Sequence, residues 1–156
     1  MTPCPYCDRP MSPLALREHV VVKCRRAPAG ACVPFTDGDA KAISEDDYRK
    51  MAERVARKLG WLVCHVERAR AGRDGRWMTP TVPGFPDDWF LHPSGVLLVV
   101  EFKRQKHRTN PELAAKQQEW LEAVAALPSA QAIRSRPSTW PDLQRRLLEP
   151  AVTPPK

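Results

Sequence analysis

The sequence has no long apolar run: the segment VLLVV at 96–100 is far shorter than the roughly 20 residues with which a helix spans a membrane. No charged and then apolar leader opens the chain, and no internal repeat is present. We therefore predict a cytoplasmic protein with no membrane partner, built as an ordinary globular domain rather than as a repeat array.

Acidic residues are in the minority, with 18 Asp and Glu against 25 Lys and Arg. The net charge of +7 and the isoelectric point of about 9.5 favour an anionic partner, with nucleic acid first among the candidates. With 156 residues, 42% of them hydrophobic, the chain is long enough for one domain with a modest core and a small appendage.

The cysteines are odd in number, at five, and no export signal accompanies them, so metal binding explains them better than disulfides do. Cys4, Cys7, His19 and Cys24 follow the spacing C-x2-C-x11-H-x4-C. A Ser-Pro pair before His19 is typical of a helix start, which would place the last two ligands on or beside a helix. Two thiolates from a turn, with an imidazole and a thiolate from a helix, form a closed tetrahedral Zn²⁺ site.

This segment resembles a small C2HC zinc finger, and we assign residues 1–26 to it. The alternative is a set of unrelated cytosolic thiols. Cys32 lies outside the pattern and is interpreted as a free thiol, with the alternative that it replaces one of the four ligands. Residues 27–42 contain Pro, Gly and small polar residues without a clear period, which predicts a linker.

A helix is predicted over 44–59, with Ser44 as its N-cap and Gly60 as its C-terminal stop. The apolar residues inside it recur with a helical period. Glu45 falls on the same side as this apolar stripe, which is unusual for a carboxylate. It is either a functional acid or a first-turn residue that the helix dipole favours. The next segment, 61–66, predicts a strand in which Cys64 and His65 are packing residues.

The stretch 84–103 predicts two strands joined by a tight turn at His92-Pro93-Ser94-Gly95. The apolar run at 96–100 suits a strand that is covered on both faces. Asp87 stands before the first strand, and Glu101 and Lys103 end the second. Since residues two apart on a strand point the same way, we expect Glu101 and Lys103 to share a face.

Two carboxylates at adjacent strand ends form a hard oxygen site that suits Mg²⁺ or Mn²⁺. A lysine beside such a metal can hold the attacking water and steady a phosphate, so the set fits metal-assisted phosphodiester hydrolysis. The alternative is that Glu101 and Lys103 mark a strand that leaves the core for solvent.

Basic residues occur on both sides of this stretch. The loop at 68–79 contains Arg70 and Arg73, and the run after the second strand contains Arg104, Lys106 and Arg108. Such residues can bind a nucleic-acid backbone, and an aromatic residue among them can stack on an unpaired base. The alternative for the loop is a soluble, mobile segment.

A second long helix is predicted over 110–127, followed by a strand at 130–135 and a helix at 140–148. Gln117 lies within the apolar stripe of the first of these helices, where a polar side chain needs a partner. It is either a satisfied core amide or a side chain directed at the metal site or a phosphate. Residues 150–156 are predicted to be a disordered tail.

Taken together, Glu45 at a helix start, Pro86-Asp87, Glu101-Phe102-Lys103 and Gln117 follow the order found in PD-(D/E)XK nucleases. More closely, residues 43–149 resemble the virus-type replication-repair nuclease domain, VRR-NUC, in its small standalone form. The stretches SEDDYRKMAERVARKLGW, GFPDDWFLHPSGVLLVVEFK and KQQEWLEAV carry this resemblance, with RPSTWPDLQRRL after them.

The resemblance implies an α/β fold of the restriction-endonuclease type, with an αβββαβ core, and Mg²⁺-dependent cutting of branched or Holliday-junction-like DNA. It implies that Asp87 and Glu101 ligate the metal together with the Phe102 carbonyl, and that Glu45 belongs to the same shell. Lys103 would activate the nucleophile, and Gln117 would support the site.

Three functions remain in competition at this stage, the last of them a regulator whose finger binds protein. The first is an endonuclease in phage or bacterial DNA processing, in the cytoplasm of a bacterium or a phage-infected host. The alternative is a DNA-binding module that uses the nuclease fold and the finger without cutting. An acidic pair facing a polyanion argues for chemistry, because pure binding does not require one. Homodimer formation is left open.

Overall fold

A computed structural model describes residues 1–66, 82–106 and 110–150, and the backbone alone at 69–71 and 76–78. In this part of the chain the helices are α1 (Pro13–Val22), α2 (Asp37–Ala42), α3 (Glu45–Lys58), α4 (Pro111–Ala125) and α5 (Trp140–Leu148). The strands are β1 (Thr2–Pro3), β2 (Pro10–Met11), β3 (Leu62–His65), β4 (Ala69–Ala71), β5 (Arg76–Met78), β6 (Asp88–Leu91), β7 (Leu97–Phe102) and β8 (Ala130–Ser135).

The central sheet has four strands in the order β3-β6-β7-β8. The first two pairings are antiparallel and the last is parallel. A parallel pair needs a crossover connection, which α4 supplies. Along the chain this core reads helix, three strands, helix and strand, with the small β4-β5 hairpin inserted after β3. The prediction of a mixed α/β fold with a mixed sheet is confirmed, and the loop predicted at 68–79 includes two short strands.

Helices cover both faces of the sheet, which explains the unbroken apolar run of β7. Leu98 and Val100 belong to a large core that α3 and α5 share. Val99 points the other way and packs with Leu121 and Val124 of α4. Alternate residues of one strand therefore contribute to two separate cores. Among the helices within the described residues, none is long and apolar enough to cross a membrane.

Helix α3 begins as predicted, because the Ser44 hydroxyl accepts a hydrogen bond from the Asp47 amide at 3.1 Å. Its apolar stripe is fully buried, and Tyr48 lies at the centre of the core. The Tyr48 hydroxyl is 2.7 Å from the hydroxyl of Ser135 at the end of β8. This hydrogen bond ties α3 to the sheet edge at which β7 also ends.

The N-terminal segment forms a β1-β2 hairpin followed by α1, and α1 lies against α3. Glu18 of α1 pairs with Arg54, at 3.0 Å, and with Lys58. On its apolar side α1 packs Leu14 and Val21 against the main core. The finger segment is therefore joined to the remainder of the protein by an apolar contact and by an ion-pair network.

The stretch 27–42, predicted as a linker, contains α2, and it packs on the main core through Phe35 and Ala40. Thr36 caps this helix by accepting a hydrogen bond from the backbone amide at position 39. Arg17 of α1, which is 1% exposed, donates to the Val33 carbonyl at 3.2 Å and lies 4.2 Å from the centre of the Phe35 ring. Long-range contacts of this kind order a segment that has no periodic pattern of its own.

Candidate functional site

Asp87 and Glu101 meet where the two central strands, β6 and β7, begin and end; we call this end of the strands the sheet edge. Strands β6 and β7 pair with Asp88 opposite Val100, so the next position along places Asp87 opposite Glu101. Because side chains alternate along each strand, these two carboxylates lie on the same face, towards α4. The structure thus brings together two acids that lie 14 positions apart in the sequence.

Glu101 is 1% exposed and is the hub of a small polar cluster. Its Oε1 accepts a hydrogen bond from Lys103 Nζ at 2.5 Å and a second one from Gln117 Nε2. Its Oε2 is buried and has no hydrogen-bond partner among the described residues. Lys103 and Gln117 are themselves buried, so the cluster is shielded from bulk water.

The electrostatics of this cluster favour uptake of positive charge. Burial, and then the negative charge of Asp87, raise the pKa of Glu101 to about 7, although Lys103 opposes the shift. A carboxyl group in this state is easily protonated at neutral pH. A cation bound between Asp87 and Glu101 would offset the repulsion between their two negative charges.

Glu45 reaches the site from the first turn of α3. Its Oε2 accepts a hydrogen bond from the backbone amide of Arg104 at 3.0 Å, which ties the start of α3 to the chain just after Lys103. It borders a cleft of about 340 Å³ at the sheet edge, whose lining consists of Glu45, Asp46, Arg49, His65, Val66, Asp87 and Phe102. Asp87 thus belongs both to this open cleft and to the buried group around Glu101.

Two of the predicted DNA-binding residues lie close to this edge. Arg104 and Lys106 are exposed, and together with Lys41 they line a neighbouring cleft of about 270 Å³. Arg70 has its backbone in β4, and its side chain is outside the described part of the chain, as are Arg73 and Arg108.

The predicted zinc ligands converge at the N-terminal hairpin. The sulfur atoms of Cys4 and Cys24 lie 3.8 Å apart, and the Cys7 sulfur lies 3.2 Å from His19 Nε2. The four ligand atoms are all within 4.8 Å of one another, so this cluster could bind Zn²⁺. Burial, and then the charges of nearby basic residues, lower the pKa of His19, which keeps its imidazole neutral and able to ligate.

Local structure explains this arrangement. The Cys4 amide donates to the Arg9 carbonyl at 2.9 Å, and the Asp8 amide donates to the Cys4 carbonyl at 2.9 Å. Asp8 adopts a positive φ of 59°, which lets the chain turn tightly between Cys4 and Arg9. After α1, the Cys24 amide donates to the His19 carbonyl at 2.7 Å, which turns Cys24 back towards the hairpin.

Sequence reasoning missed the residues on the other face of this sheet edge. His65, interpreted as a packing residue, lies 3.1 Å through its Nδ1 from both the Asp87 carbonyl and Asp88 Oδ1. Asp88 is fully buried and lies close to Glu53 of α3. The doublet Asp87-Asp88 could have predicted an acid on this second face, because two adjacent residues at the start of a strand point to opposite faces of the sheet.

In comparisons with known proteins, no protein-family model, no curated protein and no solved structure matches the chain.

Proposed function

We propose that this protein is a divalent-metal-dependent endonuclease of the PD-(D/E)XK type, similar to VRR-NUC domains, that hydrolyses phosphodiester bonds in branched or Holliday-junction-like DNA. One observation carries the proposal. Asp87 and Glu101 face each other at adjoining strand ends, and Lys103 and Gln117 are both hydrogen-bonded to Glu101. If Lys103 and Glu101 formed only a structural ion pair, a second carboxylate, Asp87, would not be needed beside them.

The residues present fit a Mg²⁺ or Mn²⁺ ion. Carboxylate and carbonyl oxygens are the ligands that these hard cations prefer. Glu101 Oε2 is buried without a hydrogen-bond partner among the described residues, and the charge of Asp87 acts on Glu101. Asp87 and Glu101 would hold the ion with the Phe102 carbonyl, and Glu45 would complete the shell from the cleft.

When bound, such an ion stabilises the negative charge that develops on the phosphate and lowers the pKa of a water molecule. The chain's own residues have separate tasks. Lys103 orients the water and stabilises charge through its ammonium, which Glu101 holds in place. Gln117 fixes the Glu101 carboxylate from α4. Arg104 and Lys106 hold the DNA backbone beside the cleft.

The N-terminal cluster supports a second part of the proposal, a structural Zn²⁺ ion held by Cys4, Cys7, His19 and Cys24. Four protein ligands leave no open position for substrate or water, as in other structural zinc sites. Because α1 packs on α3, this ion would stabilise the helix that carries Glu45.

Cleavage of linear, flapped and four-way-junction DNA with Mg²⁺, with Mn²⁺ and with a chelator tests the proposal. We expect cutting with either metal, and no cutting in the chelator. Asp87→Ala and Glu101→Ala should each abolish cutting. They should leave DNA binding intact or tighter, since each removes a negative charge that repels phosphate.

Asp142→Ala is the matched control, because this carboxylate lies on the exposed side of α5 and pairs with Arg145 of the same helix. It should cut at the wild-type rate. If Asp87→Ala or Glu101→Ala cuts at the wild-type rate with Mg²⁺, the site assignment is wrong. If the wild-type protein binds junctions without cutting them in either metal, the chain is a binding module.

A further inference from the structure

Three side chains from different elements converge on the face of the sheet opposite Glu101. Glu53 comes from α3, His65 from the end of β3 and Asp88 from the start of β6. One ligand atom from each lies within 4.8 Å of the other two. Glu53 is 6% exposed and Asp88 is fully buried, whereas His65 borders the 340 Å³ cleft. The group is therefore enclosed on the side of α3 and open towards the cleft.

Asp88 is the least satisfied member of this group. Its Oδ1 is 3.1 Å from His65 Nδ1, and its Oδ2 is buried with no hydrogen-bond partner in the described part of the chain. A carboxylate oxygen of Glu53 lies within 4.8 Å of a carboxylate oxygen of Asp88, so the two acids face each other. Two buried carboxyl groups that face each other need either a shared proton or a cation between them.

The neighbouring arginines pair with Glu53, and the charge of Arg49 also acts on Asp88, but neither arginine lies between the two carboxylates as a shared hydrogen-bond donor. Arg49 donates to Glu53, but it is shared with Asp46, which lies 2.6 Å from its other terminal nitrogen. Arg57 lies 2.9 Å from Glu53 Oε2 and is half exposed. Neither of them donates to Asp88 Oδ2. The oxygens of Glu53 retain further lone pairs that can ligate a metal while they accept these hydrogen bonds.

We propose that Glu53, His65 and Asp88 bind one divalent first-row transition-metal ion of the Mn²⁺ or Zn²⁺ class. One imidazole with two carboxylates is a mixed nitrogen and oxygen set that suits these ions better than Mg²⁺ or Ca²⁺, which favour oxygen alone. The ion would link α3 to β3 and β6. This site uses none of the proposed Mg²⁺ ligands, and the inference does not depend on the nuclease proposal.

The test uses the whole 156-residue chain carrying Asp87→Ala and Glu101→Ala, which removes the nearby carboxylate pair. Mn²⁺ is titrated and followed by electron paramagnetic resonance, and pulsed spectra report nitrogen coupling from a bound imidazole. We expect one bound Mn²⁺ with this coupling. Adding His65→Ala should remove the coupling and weaken Mn²⁺ binding at least about tenfold. His92→Ala, at the turn between β6 and β7, is the control and should change neither.

Asp88→Asn supplies an independent readout. It keeps the size of the side chain and an oxygen that can accept from His65, but it removes the charge that faces Glu53. Without metal, it should be as stable to urea as the parent chain or more stable. Mn²⁺ should raise the melting temperature of the parent and leave that of Asp88→Asn unchanged.

Two results would overturn the inference: no nitrogen coupling at saturating Mn²⁺ in the parent chain, or unchanged coupling after His65→Ala. Either result would mean that His65 does not ligate a metal together with Glu53 and Asp88. Since the parent already lacks Asp87 and Glu101, neither result bears on whether those two residues support DNA cleavage.

Discussion

Replacing Lys103 with alanine tests whether its ammonium takes part in the reaction or is one more surface cation. Lys103 is 7% exposed, and its Nζ lies 2.5 Å from Glu101 Oε1, beside the proposed metal. We expect the single-turnover rate constant to fall about a hundredfold, which corresponds to ~2.7 kcal/mol of transition-state free energy. DNA binding measured in Ca²⁺ should change much less, because Lys103 is buried rather than presented to the backbone.

The same substitution changes the ionisation of Glu101 in the metal-free protein. Burial and the charge of Asp87 raise the pKa of Glu101 from 4.5 to about 7, and Lys103 opposes this shift more than the backbone amide of Asp87 does. A carboxyl group whose pKa is raised by folding stabilises the protein at low pH, and this contribution is lost as the pH rises through 4.5 to 7. Without Lys103 the pKa of Glu101 is higher still, so the loss of stability extends to higher pH. Lys103→Ala should therefore destabilise the metal-free protein more at pH 9 than at pH 5, as measured by urea unfolding.

Lys106→Ala is the matched control, since Lys106 is exposed on the same segment. It should weaken binding, lower the salt slope by about one unit, and keep the wild-type single-turnover rate. Lys103→Arg should not restore the rate of Lys103→Ala, because a guanidinium is larger and does not lose its proton. If Lys103→Ala and Lys106→Ala lose affinity alike and both keep the wild-type rate, the catalytic role of Lys103 is refuted.

Three further changes test the supporting structure. Zinc should copurify in a one-to-one ratio and be lost in Cys7→Ser, and elemental analysis that finds no zinc in the wild-type protein purified without chelator would refute the finger. Although burial opposes the shift, the basic partners of Glu18 on α3 lower its pKa, so its ion pairs stabilise the protein at neutral pH and this contribution is lost in acid. Glu18→Gln should cost about 1 kcal/mol in urea unfolding at pH 7, and a cost equal at pH 3 would contradict this account. Gly84 has a φ of +87°, and a Cβ added there would lie 2.6 Å from the Cβ of Lys116 on α4. Gly84→Ala should therefore displace α4 and lower both stability and cutting. An unchanged urea midpoint would contradict this packing.

The regular elements of the core could be predicted from the sequence because their patterns are strong and local. The strand Ala130–Ser135 and the helix Trp140–Leu148 have the predicted bounds, and α3 and α4 differ from prediction only at their ends. The meeting of Asp87 with Glu101 also followed from local signals, since a tight turn between two short strands sets their register.

The packing of residues 1–42 could not be predicted in this way. Helix α2 has six residues and no apolar period, and it is held by its Thr36 cap and by an ion pair between Asp39 and Arg17 of α1. Arg17 looks like a surface residue in the sequence, yet it is 1% exposed and donates to the carbonyls of Pro13, Val33 and Pro34. These contacts depend on where α1 meets the core, which no local pattern encodes.

The Asp87-Asp88 doublet places one carboxylate on each face of the sheet, where each belongs to a different proposed metal site. Asp87 faces Glu101, and Asp88 faces Glu53 on the other side of the sheet. His65 connects the two, because its Nδ1 lies 3.1 Å from the Asp87 carbonyl and equally far from Asp88 Oδ1. The negative charge of Asp87 also acts on Asp88, so the two aspartates are electrostatically linked. Loss of cutting in an Asp88 variant identifies Asp88 as a catalytic group only if the Mn²⁺ content of both proposed sites is measured in the same protein.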